Sequence, residues 1–595
     1  MGVRPDDSMS SEIANQYEAR LKSRQRRVER CRRAERRLAR LRRTIAYPVI
    51  LYVVFDPTLG AVLIPLAMVL IPLAVAQARC VRLWRKASRA VAFYAAGIDR
   101  VNDNWIGHGD AGWRYLQAAG ASDHLYADDL DIFGRGSVFE LLGTARTTLG
   151  RDALAQWLKQ PATIDCLQAR QVAVNELRDE LDLRETLSVV ELDSKNIWPE
   201  SIERWARVEP LLGNTLWRIV GQILAWLLFG AVVWTFLRGA TSPTPWIAFA
   251  SAMGAESVFY FSRRRSAAAV ARQVGRAGLT LSAVVRISVP LRSHAFQSPR
   301  LKELLDNLDV WRGRTRPHWL RAYALLFQNA AIHLLAVQFY PALDHWRRAH
   351  GDETNLSCHV IGELEALLAI ASYAYEHGDD PFPELVDQGA FFDGQGLRHP
   401  LIPASTCVKN DVRLDDTIRL MIVSGSNMSG KSTLLRTVGA NVVLAMIGAP
   451  VCAETLRISP LSVCTAMRFR DSLLDGNSYF SASVQRLKRI IDELDGNRPL
   501  LFLFDEMLSG TNSGDRYAGA EAVLRKLLDG GAIGMITTHD LALTQLARPL
   551  GPAVVNAHCE HQLVEGKMAF DYRLRRGVVK KSNAVTLMRL LGLEL

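Results

Sequence analysis

The sequence lacks two patterns that would have pointed to a secreted or metal-binding protein. Its eight cysteines include no pair with C-x-x-C spacing, so neither a zinc site nor a disulfide framework is indicated. The first residues lack the short basic segment, apolar stretch and small-residue cleavage site of a signal peptide. No repeat of fixed period is found. We expect a chain that is made and kept on the cytoplasmic side, in a reducing compartment.

Composition places the 595-residue chain among ordinary folded proteins. Hydrophobic residues make up 49% and charged residues 22%, close to the usual globular mix. At about 150 residues per domain, the length allows three or four domains. The net charge is +11, and residues 20–43 alone contain thirteen Lys or Arg against two Glu. Much of the basicity is therefore concentrated in one N-terminal segment.

Residues 1–44 are predicted to form a basic amphipathic helix. The apolar positions in this segment are separated by steps of three, four and seven, which describes one helical stripe among many arginines: Ile13, Tyr17, Leu21, Val28, Cys31, Ala34, Leu38 and Leu41. Such a helix is typical of a solvated coiled coil, of an anchor for anionic lipid, or of a nucleic-acid contact. The apolar run that follows favours lipid.

Residues 45–78 are predicted to form a transmembrane hairpin. The apolar run is broken by Asp56-Pro57 and Gly60, which indicate a turn. The second half, Leu59 to Ala78, has about the length needed to cross the hydrocarbon. Arg42 and Arg43 precede the run and several basic residues follow it, so the positive-inside rule places both ends in the cytoplasm. Residues 79–129 are expected to be linker helices.

A second hydrophobic hairpin is predicted at 219–261. Two apolar segments, 219–237 and 246–261, are joined by a short polar turn and flanked by Arg218 and Arg263. Glu256 is costly in lipid unless it is paired or faces a partner helix. Two buried helices of a soluble domain are the alternative. The membrane interpretation gives a multi-pass protein of the cytoplasmic (inner) membrane whose C-terminal part lies in the cytoplasm.

The C-terminal part, 399–595, has a different sequence pattern from the mostly helical part before it. Short β-like runs alternate with helical stretches, which predicts a parallel sheet with crossover helices. One run leads into Gly425-Ser426-Asn427-Met428-Ser429-Gly430-Lys431-Ser432-Thr433. Such a turn between strand and helix aims backbone N–H groups at phosphate. We expect Lys431 to reach the β- and γ-phosphates of ATP and the Ser432 hydroxyl to bind Mg²⁺.

Two further strands end in residues suited to phosphate hydrolysis. One apolar run ends at Asp505-Glu506, which places Asp505 to bind Mg²⁺ and Glu506 to orient or deprotonate the attacking water. The next ends at His539, which can sense the γ-phosphate and polarise the water. Helix capping by the acidic pair and a structural histidine are the alternatives. The order of the three elements is that of an ABC-type ATPase core.

The residues around these motifs resemble the MutS mismatch-repair family. The phosphate loop with its Asn-Met and the trailing "IGAPVCAE", the run "FDEMLSGTNSGDR", and "TTHDLALTQLA" all fit that family. Upstream, "GLRHPLI", "IGELEALLAIASYA" and "FELLGTARTTLGRDALAQWLKQPA" resemble its ATPase entry and helical core. The resemblance runs from about residue 130 to the C-terminus. It implies an α/β ABC-type P-loop ATPase domain at 399–595, preceded by an all-α core and lever at 130–398.

The resemblance also implies a dimer in which each site is completed by the other subunit. Ser478 is then the contact to nucleotide in trans, with Ser509, Gly510, Thr511 and Asn512 near the same seam. Tyr572 takes a position where the family stacks a ring on adenine. The sequence departs from the pattern at Ser426, Ser429, Ser483 and Cys407, where the family usually has Pro, Gly, an acidic residue and an aromatic.

The largest departure is architectural, because residues 1–130 do not resemble the family's mismatch-reading domain. The hydrophobic pair at 219–261 stands where the core helices lead into a DNA clamp. The first hypothesis is therefore a membrane-anchored MutS-like ATPase, a homodimer that uses ATP and Mg²⁺ to move a helical lever, with double-stranded DNA as a possible client. An ABC-like transport or membrane-remodelling motor is the alternative. A nucleotide-gated anchor with little turnover is the third interpretation.

Overall fold

A computed structural model describes residues 5–55, 63–117, 124–190, 215–238, 242–309, 333–426, 428–468, 479–496, 498–564 and 567–579. The chain divides into two compact units. The first comprises residues 1–144, 154–181 and 367–595. The second comprises residues 145–153 and 182–366.

The first unit begins with two long helices. They are α1 (Pro5–Phe55) and α2 (Leu63–Val101), which pack along each other as an antiparallel hairpin. Near its base, Tyr17 lies fully buried against Tyr94, with ring centroids 5.8 Å apart. Further along, Gln77 donates a hydrogen bond to Glu35 at 3.0 Å. The boundaries predicted at 44 and 78 both fall inside these helices.

Shorter helices follow: α3 (Trp113–Gln117), α4 (Val138–Leu142), α5 (Thr148–Lys159), α6 (Ile164–Arg178) and α7 (Leu181–Ser188). The stretch "FELLGTARTTLGRDALAQWLKQPA", which resembles the family's helical core, therefore contains two helices, α4 and α5. Gly143 ends the first of them, and its N–H donates to the carbonyl of Glu140 at 3.2 Å.

The second unit is helical in the part that the structure describes. Its helices are residues 148–153 of α5, residues 182–188 of α7, α8 (Thr215–Arg238), α9 (Pro243–Arg292), α10 (Pro299–Asp309) and the earlier residues of α11 (His333–Glu376). Arg300 holds Glu363 through two hydrogen bonds of 2.7 Å. Glu365 is buried and accepts a backbone hydrogen bond from Thr147 at 3.1 Å. These contacts fix α10 and α11 within this unit.

Helices α8 and α9 form the hairpin expected at 219–261. The Trp246 segment is not a short helix, because α9 continues from Pro243 to Arg292 without interruption. Its carboxylate residue, Glu256, is only 3% exposed, whereas Trp226 and Phe236 are 71% and 88% exposed. The acidic side chain is therefore turned inward and large apolar side chains cover the outer surface.

Among the described residues, two helical segments are long and apolar enough to cross a membrane. The apolar window within Pro65–Val101 has a mean hydropathy of 1.7 and none of it is buried, whereas 78% of the window in Gly351–Glu376 is buried. The second is thus a core helix of the fold. Gln222–Leu237 is a shorter apolar helix.

The C-terminal part of the first unit contains two sheets. The smaller has the order β1-β5-β2-β3, and the larger has the order β10-β9-β4-β8-β7-β6. The strands are β1 (Glu384–Leu385), β2 (Phe392–Leu397), β3 (Asn410–Leu414), β4 (Leu420–Gly425), β5 (Thr455–Ile458), β6 (Ser462–Ala466), β7 (Leu500–Asp505), β8 (Ile533–Thr538), β9 (Val554–Val564) and β10 (Lys567–Arg576). The larger sheet is parallel except at β10, as its apolar runs predicted.

Three helices flank the larger sheet: α12 (Lys431–Met446), α13 (Tyr479–Asp492) and α14 (Ser513–Asp529). Two 3₁₀ segments, Glu493–Asp495 and Leu541–Ala547, complete the domain. Strands β4, β7 and β8 are buried along almost their whole length, and Phe502, Phe504 and Leu524 belong to one core. Because these strands are parallel neighbours, their carboxyl ends meet at one edge of the sheet.

Candidate active site

The phosphate loop lies at the carboxyl end of β4. The strand ends at Gly425, and α12 begins at Lys431 after Gly430, whose φ of +88° is left-handed. A Cβ on Gly430 would lie 2.8 Å from the ring of Tyr572. Glycine is therefore required here both by the backbone and by the close approach of that ring. The N–H groups at the start of α12 point out of this turn, where an anion binds best.

Lys431 is folded into the loop. Its Nζ donates hydrogen bonds to the carbonyl oxygens of Gly425 at 2.9 Å and Ser426 at 2.8 Å. The side chain is buried, which lowers its pKa, and the carboxylates of Glu506 and Asp505 act in the opposite direction. The ammonium is thus held beside the loop by partners that phosphate oxygens can replace.

A cavity of about 570 Å³ opens beside the loop. This volume is in the range of small-molecule sites. The cavity is lined by predicted residues from the loop, from β7 and from β10: Met428, Gly430, Lys431, Ser432, Thr433, Glu506 and Tyr572. Cys407, one of the departures from the family pattern, lines it as well. The structure therefore brings residues from distant parts of the chain to one site.

The acidic pair stands at the end of β7, next to β8. Asp505 accepts a hydrogen bond from the hydroxyl of Thr537. Glu506 has a left-handed backbone with φ of +52°, and its N–H donates to the carbonyl of Thr537 at 3.1 Å. A non-glycine residue rarely adopts this conformation, and such strain is concentrated at functional sites. The strain turns the Glu506 side chain towards the cavity instead of along the strand.

His539 contacts Glu506 directly. Its Nδ1 lies 2.9 Å from Oε1 of Glu506, and both side chains are partly exposed. The sequence predicted both residues from their places after β7 and β8, and the contact between them is an additional finding. An imidazole at this distance fixes the orientation of the carboxylate.

Tyr572 lies over the loop from β10. Its φ is +55°, its side chain is 44% exposed, and its ring stacks on Phe570 with centroids 6.0 Å apart. Asn410 holds this turn, since its Nδ2 donates to the carbonyl of Tyr572 at 2.9 Å and its Oδ1 accepts from the N–H of Leu574 at 2.7 Å. Asn410 was missed because one asparagine at a strand start carries no signal in the sequence.

Other predicted residues have structural contacts or lie outside the described part. Ser429 is buried, and its hydroxyl has no hydrogen-bond partner among the described residues. The Ser483 hydroxyl donates to the carbonyl of Phe480 at 2.8 Å. Asn512 caps α14 by accepting from the N–H of Asp515 at 2.8 Å. Asn427 and Ser478 lie outside the described residues.

Two buried carboxylates that were not predicted join separate segments of the first unit. Asp129 accepts hydrogen bonds from the Thr465 hydroxyl at 2.6 Å and the N–H of Met467 at 3.1 Å, which ties the loop before α4 to β6. Asp380 pairs with Arg398 and accepts from the Cys452 thiol at 3.3 Å. Both depend on contacts distant in sequence, for which a single sequence gives no periodic signal.

A buried β4 followed by a left-handed glycine and a lysine-headed helix, next to strands that end in Asp-Glu and His, is an arrangement typical of P-loop nucleotide-binding domains. The comparison with family models agrees, since residues 421–594 match MutS domain V. That domain is an ATPase-containing α/β region.

Curated relatives give the same result. DNA mismatch repair protein MutS of Brevibacillus brevis is 33% identical over 233 residues, which is 38% of this chain and 26% of that protein. Endonuclease MutS2 of Thermus thermophilus is 34% identical over 203 residues, 33% of this chain and 25% of that protein. DNA mismatch repair protein MutS of Fusobacterium nucleatum is 33% identical over 270 residues, 44% and 30% respectively.

The family model places the similarity to MutS proteins in the C-terminal part of the chain. The chain spans less than a third of the length of the relatives named here.

Proposed function

We propose that this protein is a membrane-attached ATP hydrolase of the MutS type. The observation that carries the proposal is that Lys431 and Glu506 line one cavity at the carboxyl edge of a parallel sheet, with His539 in contact with Glu506. The family match to residues 421–594 supports the same chemistry. ATP is the substrate.

The residues present fit a magnesium ion. Mg²⁺ prefers oxygen ligands, and the Ser432 hydroxyl and the Asp505 carboxylate are oxygen donors at the ends of neighbouring elements. Together they would hold the ion, which when bound would neutralise charge on the phosphates. Thr537 orients the Asp505 carboxylate through its hydroxyl.

Hydrolysis then rests on the chain's own residues. The loop amides and Lys431 bind and orient the phosphates. Glu506 accepts a proton from the attacking water, and His539 holds the Glu506 carboxylate in position from 2.9 Å. Tyr572 lies beside the loop with an exposed ring, which suits stacking on the base.

Two such domains pair in this proposal, and Ser478 from one subunit completes the site of the other. ATP binding would close the homodimer and hydrolysis would release it. Helix α11 carries the motion, because its residues 333–366 belong to the second unit and its last residues to the first. The exposed apolar surfaces of α2 and of the α8–α9 hairpin supply the attachment to the membrane.

Double-stranded DNA is a second element of the proposal. Curated relatives are described as DNA mismatch repair proteins and as an endonuclease, and the basic α1 offers a surface for phosphates. An ABC-like transport or remodelling motor without DNA is the competing function. That function requires a polar path through the membrane. The α8–α9 hairpin offers little for such a path, because Glu256 is buried and large apolar side chains cover the outer surface of the hairpin.

The test is steady-state ATP hydrolysis by the full chain in lipid discs. Rates are measured without DNA and with homoduplex, mismatched or branched DNA. Glu506→Gln provides the blank, and Glu493→Gln is the matched control, since it makes the same change at an exposed carboxylate of the same domain.

We expect a magnesium-dependent rate that Glu506→Gln lowers by at least about 100-fold and that Glu493→Gln leaves unchanged. A rate that DNA stimulates supports the repair-like client. A Glu506-dependent rate that no DNA changes supports the motor without DNA. A rate that survives Glu506→Gln contradicts the proposed hydrolase.

A further inference from the structure

We propose that the tip of the α1–α2 hairpin, defined here as residues 44–55 and 63–68, inserts into an anionic bilayer without crossing it, with a collar of arginines at the headgroups of the leaflet it enters. The inference rests on the membrane attachment proposed above and replaces the predicted pair of spans at 45–78 with a shallower insertion.

The register of the hairpin carries the argument. Gln77 of α2 is hydrogen bonded to Glu35 of α1, and nearer the base Tyr94 contacts Tyr17. Both pairs fit one antiparallel register. Counting eight residues up α1 from Glu35 reaches Arg43, and counting eight back along α2 from Gln77 reaches Val69. Because both arms rise by about 1.5 Å per residue, Arg43 and Val69 lie at about the same level.

This register leaves little chain beyond the arginines. Helix α1 ends at Phe55, so residues 44–55 rise only about 18 Å beyond Arg43. The hydrocarbon of a bilayer is about 30 Å thick. While Arg43 stays at the surface, the end of α1 at Phe55 therefore lies past the middle of the bilayer and short of its far side.

A full crossing would instead bury charge. The apolar stretch of α2 continues to Ala78, but the part from Val69 to Ala76 is level with the most basic part of α1. The arginines there are exposed: Arg36, Arg37, Arg40, Arg42 and Arg43. Moving α2 across the bilayer would carry these guanidinium groups into hydrocarbon, which is strongly unfavourable.

The surface chemistry of the tip fits an anionic lipid surface. Met68 is 73% exposed and Ile71 62% exposed on α2, and the exposed arginines of α1 lie at the same height or just below. Tyr47, 67% exposed, stands one turn beyond Arg43, where a tyrosine sits well among headgroups. Apolar side chains at the tip and a basic collar beneath them are complementary to the acyl chains and the phosphates of one leaflet.

The second hairpin contrasts with the first. Helix α8 has 24 residues and rises about 36 Å, enough to cross the hydrocarbon. No comparable basic segment accompanies it between Ile219 and Leu237. The two hairpins are therefore suited to different depths.

The experiment uses the full chain reconstituted in vesicles, with a polarity-sensitive dye on a new cysteine. The positions are Phe55→Cys at the end of α1, Met68→Cys near the tip and Leu83→Cys further down α2. Labelling of the parent protein, measured in parallel, is subtracted for the native cysteines. Iodide is added outside or trapped inside the vesicles, which contain either phosphatidylglycerol with phosphatidylcholine or phosphatidylcholine alone.

In anionic vesicles we expect the dyes at 55 and 68 to be shielded from iodide on both sides, and the dye at 83 to be quenched from the side of the ATPase domain. Replacing Arg40, Arg42 and Arg43 by Gln should raise quenching at 68 to the level found at 83. The matched control replaces Arg26, Arg27 and Arg30 by Gln, which is the same change in charge about 21 Å closer to the base of the hairpin, and it should leave quenching at 68 unchanged.

Quenching at 55 by iodide on the far side shows a full crossing and overturns the inference, although membrane attachment stands. Equal effects of the two arginine triplets, or equal shielding in vesicles of phosphatidylcholine alone, overturn the headgroup collar. Loss of shielding on addition of duplex DNA would assign the basic surface to nucleic acid instead. Protein that does not float with vesicles contradicts the membrane attachment itself, while the Glu506-dependent ATPase rate stays an independent result.

Discussion

At the scale of single residues, the site contains several backbone conformations that residues other than glycine rarely adopt. Met428, Glu506, Leu508 and Tyr572 all have positive φ, and each is in the loop, after β7 or in the turn of β10. Each such residue costs of order 1 kcal/mol or more. The surrounding hydrogen bonds, such as those of Asn410 and Thr537, hold them there. The fold therefore accepts local strain to aim a few side chains at one cavity.

Replacing His539 by Gln should lower kcat about 10- to 100-fold and leave the KM for ATP nearly unchanged. The reason is that His539 orients Glu506 and does not line the cavity among the described residues. Steady-state rates measure the two constants. His108→Gln is the control, because His108 also pairs with a carboxylate, Asp99 at 3.3 Å, on an exposed surface. A rise in KM at constant kcat would show that His539 binds nucleotide instead.

His399 makes stability depend on pH. Burial is the main reason that its pKa is lowered to about 4. The Arg436 charge also lowers the pKa, and the Asp131 charge acts in the opposite direction. In the unfolded chain a histidine titrates near 6.5, so between about pH 6.5 and 4 the unfolded state binds a proton that the folded state does not. The contribution of the neutral His399 to the free energy of unfolding is fully present above this window and is lost as the pH falls through it. The ATPase domain should lose about 2 kcal/mol from His399 alone between pH 7 and pH 5.

Chemical denaturation of wild type and His399→Gln at the two pH values checks this expectation. The variant should lose less stability on acidification, although not none, because burial also lowers the pKa of His124 to about 4. An identical loss in both proteins would refute the assignment to His399.

At the scale of elements, the base of the α1–α2 hairpin is joined to the end of α11 by a buried ion pair. Arg100 of α2 donates two hydrogen bonds of 2.7 Å to Glu376, and Tyr17 of α1 donates a third at 3.2 Å. Glu376 is 4% exposed. Gly97 lets Tyr17 approach, since a Cβ there would lie 2.5 Å from its ring. The helix that ends at the ATPase domain is thus attached directly to the hairpin.

Arg100→Met should therefore loosen the hairpin by about 3 kcal/mol, because it leaves the Glu376 carboxylate buried without its partner. Hydrogen exchange of α1 and α2 near their base measures the loss. Arg33→Met is the control, as it removes an exposed pair with Glu29 and should change little. The double variant Arg100→Met, Glu376→Met should recover part of the loss. Unchanged protection in Arg100→Met would show that packing around Tyr17 is sufficient.

Sequence patterns predicted the elements with strong periodicity. The buried strands β4, β7 and β8 are continuous apolar runs that end in chemically distinctive residues, so both the sheet edge and the residues there followed from the sequence. The smaller sheet did not, because β2 is "FDGQGL" and β1 has two residues. The contacts of Asn410 and Asp129 join segments that are distant in the sequence, so no sequence pattern predicted them. The single helix through residue 44 was also missed, since composition changes there while helical spacing continues.

At the scale of the whole molecule, the proposal requires two chains to close on ATP. Glu506→Gln should block hydrolysis while Lys431, the loop and the cavity still bind ATP. The ATP-bound pair should therefore accumulate in this variant, and it should not form in Lys431→Ala, which removes the ammonium that binds the phosphates. Light scattering in detergent gives the mass with and without Mg²⁺ and ATP.

Mass alone is insufficient, because the apolar surfaces proposed to meet the membrane can also hold two chains together. A cysteine at Ser509, near the expected seam, reports closure of the ATPase domains by disulfide crosslinking between subunits. Crosslinking should rise with ATP in the Glu506→Gln background and stay at the ATP-free level when Lys431→Ala is added. Crosslinking and mass that are both independent of ATP would mean that each domain hydrolyses ATP alone. Ser478 would then have no role in trans, and α11 would transmit a change that arises within one chain.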